Sequence, residues 1–73
     1  MKMLGVYNRI ADLRQAGRYR EALAISFSRD AKYITDAEII EAKAIDWLEN
    51  NPDVQRPSSR YGDNVEWAKQ FVN

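Results

Sequence analysis

Apolar residues recur at three- or four-residue spacing along nearly the whole chain, and no stretch alternates with the period of two that a strand requires. That rhythm constrains the fold more than any other feature. Tyr7, Ile10, Leu13 and Ala16 form one stripe, with Val6 and Ala11 close by, so a helix is predicted over about 4–16. Gly17 follows the last periodic residue, where a left-handed helix end favours glycine. Tyr19, Ala22, Leu23, Ser26 and Phe27 repeat the pattern over 19–29. Glu21 suits the positive end of that helix. A link of two or three residues makes the two helices antiparallel or sharply angled neighbours.

Thr35-Asp36-Ala37-Glu38 has capping-box spacing and opens the clearest element. Ala37, Ile40, Ala44, Trp47 and Leu48 continue it to Glu49, and Asn50, Asn51 and Pro52 end it. Trp47 is expected to be the largest packing contributor, with Phe27 and Tyr19 also in the core. Residues 51–63 carry both prolines, two serines, Gly62 and several charges, which predicts an exposed, flexible connection of low order. Asp63 or Asn64 would cap a last short helix bearing Val65, Ala68 and Val72. The expected fold is all-α, a single domain over 1–73. It is a small bundle of three to four short helices containing an αα-hairpin.

Composition removes most catalytic classes. The chain has 73 residues, no cysteine and no histidine. It therefore has neither a thiolate metal site nor the commonest metal ligand and general base. Zinc fingers, cysteine proteases, serine–histidine hydrolases and histidine-ligated haem are excluded. Ser26 and Ser28 have no histidine to activate them. Glu38 with Glu41, and Asp46 with Glu49, are carboxylates at metal-compatible spacing, but each pair is assigned to a solvated helix face. No catalytic residue, metal, cofactor or small-molecule substrate is expected. Absence of an apolar run near 20 residues and of a leader pattern after Met1 predicts a soluble cytoplasmic protein without membrane contact.

Formal net charge is zero, but the charges are segregated. Residues 1–32 hold seven basic and three acidic side chains, a net +4. Residues 33–55 hold one basic and six acidic, a net −5, and residues 56–73 come to +1. Zero net charge argues against strong autonomous DNA binding, because phosphate neutralisation dominates that affinity. It suits a protein that docks on a partner with one face and offers a basic patch with another.

Residues 11–23 follow the pattern A-x-x-x-x-x-G-x-Y-x-E-A-L, which resembles the helix–turn–helix of a tetratricopeptide repeat. The pattern occurs once, so the resemblance implies one αα-hairpin and no solenoid. A DNA-reading helix-turn-helix is the sharper alternative, with Arg18, Tyr19 and Arg20 opening a recognition helix. A generic helical adaptor is the third reading.

The length of 73 residues from Met1, the cysteine-free helical build and the basic N-terminal half (Lys2, Arg9, Arg14, Arg18, Arg20) resemble small regulators of host RNA polymerase made by lytic phages such as those of Xanthomonas. The resemblance implies a non-enzymatic protein that binds the large subunits of bacterial RNA polymerase near the RNA exit channel. It would inhibit initiation and promote antitermination, with nascent RNA as a further contact. Charge and exposure nominate the partner-binding residues: Lys2, Met3, Tyr7, Arg9, Arg14, Arg18, Arg20, Arg56, Arg60 and Tyr61. Tyrosine, tryptophan and arginine dominate interface hot spots, so Tyr33 and Trp67 are also read as outward-facing.

Overall fold

A computed structural model describes residues 2–73, with side chains from Gly5 onward. The chain is all-α: helices α1 (Lys2–Gln15), α2 (Tyr19–Ser26), α3 (Asp36–Asn50) and α4 (Tyr61–Ala68). Short 3-10 turns follow α2 at Ala31–Tyr33 and α4 at Lys69–Phe71. No strand occurs among the described residues, and none of their helices is long and apolar enough to cross a membrane. The contacts sort into two compact units, Met1–Thr35 and Asp36–Asn73.

The first unit is the expected helical hairpin. Gly17 has φ +81°. The Arg18 N–H reaches the Leu13 carbonyl at 2.8 Å and the Gly17 N–H reaches that of Arg14 at 3.0 Å. These are the two bonds of a Schellman ending. Ala22 has no exposed surface, so α1 and α2 approach closely where the motif places alanine. Leu13, Leu23 and Ile34 complete the buried set of this unit.

Helix α2 stops three residues earlier than its periodicity predicts, and the backbone shows why. Ser28 takes φ 52°, with its N–H bonded to the Ile25 carbonyl at 3.2 Å and the Arg29 N–H bonded to Ala24 at 2.9 Å. This is a second Schellman ending, built on serine instead of glycine. The stop leaves Phe27 beyond the last turn and 46% exposed, so its expected core role is corrected.

The second unit packs α3 against α4 and the turn after it. Thr35 directly precedes the first helical residue, as a capping box requires. Ala44, Leu48, Val65 and Ala68 form the buried cluster, with Ile45, Trp47, Trp67 and Val72 packed on it. Trp47 is half-buried and stacks on Phe71 with ring centroids 4.4 Å apart. Trp67 meets both rings edge-on, at 5.9 Å and 5.1 Å. Trp67 thus belongs to an aromatic cluster of this core, contrary to its expected outward role.

The connection after α3 is tied down more than its composition suggests. The Arg56 guanidinium donates to the Leu48 carbonyl at 3.0 Å, near the end of α3. Asn64 is buried; its side chain accepts the Ser58 N–H at 3.1 Å and donates to the Ser58 carbonyl at 2.9 Å. The Ser58 hydroxyl donates to Asp63 at 3.1 Å and accepts the Arg60 N–H at 3.0 Å. Asp63 and Asn64 therefore lie inside α4, which begins at Tyr61 after an extended Arg60, and neither caps it as expected.

Candidate functional site

The hairpin presents an open groove of about 480 Å³, lined by Val6, Tyr7, Ile10 and Arg14 of α1 and Ile25 and Ser26 of α2. Its origin is local. Tyr7, Ile10 and Arg14 are three and four residues apart and share one face of α1. Leu13 is buried against the hairpin, while Val6 and Tyr7 remain 48% and 60% exposed. Two large apolar side chains thus stand beside a half-buried isoleucine pair at one end of the hairpin. Among the described residues of the lining Arg14 is the single charged one, and its guanidinium lies 5.9 Å from the centre of the Tyr19 ring.

The expected partner-binding residues divide by what they touch. Tyr7 and Arg14 come together at the groove. Arg9 is exposed on the same helix. Lys2 and Met3 lie outside the described side chains. Arg18 pairs with Glu21 at 2.6 Å, a surface contact whose energetic value is small. Arg20 donates to the Ile34 carbonyl, which ties α2 to the end of its own unit. Arg56 serves the α3 terminus, and its Nε is buried without a hydrogen-bond partner. Arg60 and Tyr61 are exposed where α4 begins.

From the sequence, Ile10 falls in the core stripe with Val6 close beside it, and nothing singles out Ile25. The only signal for them was that a hairpin with one narrow buried seam leaves the flanks of that seam open. A second exposed set follows α2. The Arg29 guanidinium sits 4.8 Å from the centre of the Phe27 ring and the Lys32 ammonium 5.2 Å from that of Tyr33, which is 61% exposed. Among the described residues, no three acidic side chains gather as a metal-ligand set.

Comparison with known protein families, curated proteins and solved structures finds no match.

Proposed function

We propose that this chain is a non-enzymatic regulator that acts by docking on a larger protein, with the large subunits of bacterial RNA polymerase as the partner. The reading is of a phage product working in the host cytoplasm, inhibiting initiation and promoting antitermination. The polymerase assignment comes from the resemblance of length, helical build and basic N-terminal half. The observation that carries the docking role is the hairpin groove, where Val6 and Tyr7 stay exposed on a unit of net positive charge. Large exposed apolar residues grouped beside arginine are the chemistry of interface anchors.

Nascent RNA is the proposed second contact. Phe27 and Tyr33, each beside a cation, supply faces on which unpaired bases can stack. The helix-turn-helix alternative is weakened by the first residues of α2. Arg20 is bonded to the Ile34 carbonyl and so is held on its own unit, and Arg18 has the Glu21 carboxylate beside it, which would repel phosphate.

The test is binding of purified core RNA polymerase in moderate salt with nuclease present, followed by single-round transcription over an intrinsic terminator. Read-through that rises with added protein is expected. Arg14→Glu with Arg18→Glu should keep the helical circular dichroism signal and lose both binding and read-through. Polymerase that neither binds nor changes termination refutes the assignment.

A further inference from the structure

We infer that residues 27–34 form a site for a single strand of nucleic acid, where unpaired bases stack on Phe27 and Tyr33 and the Arg20, Arg29 and Lys32 cations attract its phosphates. The inference rests on the RNA contact proposed above. It deepens that contact by defining the site and by making it competent without polymerase.

The backbone builds the site. Helix α2 ends at Ser26, and Ser28 takes φ 52°. Strained backbone of this kind concentrates where a chain binds or reacts. The turn leaves Phe27 46% exposed and brings the Arg29 guanidinium to 4.8 Å from its ring centre. The Asp30 side chain then accepts the Lys32 N–H at 3.0 Å and opens the 3-10 turn Ala31–Tyr33. Ile34 is buried directly after it, while Tyr33 stays exposed with the Lys32 ammonium 5.2 Å from its ring centre. The Arg29 guanidinium reaches the Tyr33 carbonyl at 3.4 Å, and the Arg20 guanidinium reaches the Ile34 carbonyl. Cations from three separate positions thus gather around Tyr33 and Ile34.

Two properties select an unpaired strand. The first is the pair of rings. A single cation covers at most one face of a ring, and the exposure of Phe27 and Tyr33 leaves ring surface for a base. Every base has a π-face, so stacking holds a strand without reading its sequence. The bases of a duplex are already stacked on one another and do not reach such rings. The second is the charge beside the rings. Residues 27–34 hold Arg29 and Lys32 against Asp30, and Arg20 adds a third positive side chain. An acidic peptide would meet the cations but leave both rings without a stacking partner. Nucleotides bring phosphate and a flat ring together.

The test uses the full-length protein and labelled strands of about eight nucleotides, within the range that one single-strand module covers. Oligouridine, its deoxythymidine counterpart and a duplex of equal length are compared by fluorescence anisotropy at low salt. Both single strands should bind more tightly than the duplex, and tighter binding of either one supports the site and names the strand it takes. Phe27→Ala and Tyr33→Ala should each weaken binding about fivefold or more, and Tyr33→Phe should retain it, because stacking needs only the ring. Lys32→Gln should make the slope of log affinity against log salt shallower by about 0.7, as loss of one phosphate contact does. These three positions are exposed, and circular dichroism checks that each variant stays helical. No binding at low salt, ring variants that bind like the wild type, or a duplex bound as tightly as a single strand would each overturn the site. So would polyglutamate that displaces the strand as well as unlabelled strand does, since charge alone would then hold it. If the strands bind through these rings while polymerase does not bind, the site stands and the polymerase reading falls. If polymerase binds while free strands do not, the site alone falls.

Discussion

Ser28 occupies a backbone conformation that costs an L residue about 1–2 kcal/mol, while ending α2 with the same bond pair that Gly17 makes after α1. Ser28→Gly should therefore stabilise the hairpin by about 0.5–1 kcal/mol, less than the full strain because glycine loses more chain entropy. A thermal melt should rise by a few degrees, as ~1 kcal/mol shifts so small a domain by about 4–8 °C. Gly17→Ala should move it down by a similar amount. A Cβ at Gly17 would meet no atom within 4 Å, so that loss would measure backbone strain less the entropy the substitution removes from the unfolded chain, with no clash added. Asn64 makes a different single-residue contribution. Asn64→Ala would strand the Ser58 N–H and carbonyl and should cost about 1–3 kcal/mol in chemical denaturation. An unchanged midpoint would mean that water takes over both bonds.

At the scale of elements, α4 depends on partners outside its own two turns. Isolated helices this short are marginal in water, so α4 gains its stability from packing on α3 and from the 58–64 hydrogen bonds. The Trp47, Trp67 and Phe71 rings meet one another at the edge of that packing. Trp47→Ala should cost about 3–5 kcal/mol and abolish the near-ultraviolet circular dichroism of Trp67. A double-mutant cycle between Trp47 and Phe71 should give a coupling of about 0.5–1.5 kcal/mol for the stacked pair. Near-additive losses would show that the rings contribute by burial and not by their mutual geometry.

The hairpin and the α3–α4 unit also differ in how far their sequences announce them. The turn at Gly17 was legible because one residue type fits that backbone angle. The end of α2 was not, because serine rarely takes it. The start of α4 was missed because Asp63 and Asn64 are good capping residues whose side chains are drawn to Ser58 instead. A third of the candidate site, Tyr7 and Arg14, could be nominated from residue type. Val6 and Ile25 could not, because an aliphatic residue on a helix flank reads the same whether it is covered or open.

For the whole molecule, the segregated charges have a measurable consequence. Duplex DNA should bind weakly at every ionic strength, without the steep salt dependence of a phosphate-tracking protein. A steep slope would put the helix-turn-helix alternative ahead of the docking reading. The chain also lacks histidine, the side chain that ordinarily changes charge between about pH 5 and 8. Helical content and melting temperature should stay flat across that window. Helical class, the hairpin turn and the segregation of charge were set by the sequence itself, because periodicity, glycine geometry and formal charge are local properties. The tertiary structure alone decided that Phe27 stands exposed, that Trp67 joins the aromatic cluster and that Arg20 and Arg56 serve the fold. Burial belongs to a pair of surfaces, and a helix stripe carries no record of which neighbour will cover it or where that neighbour ends.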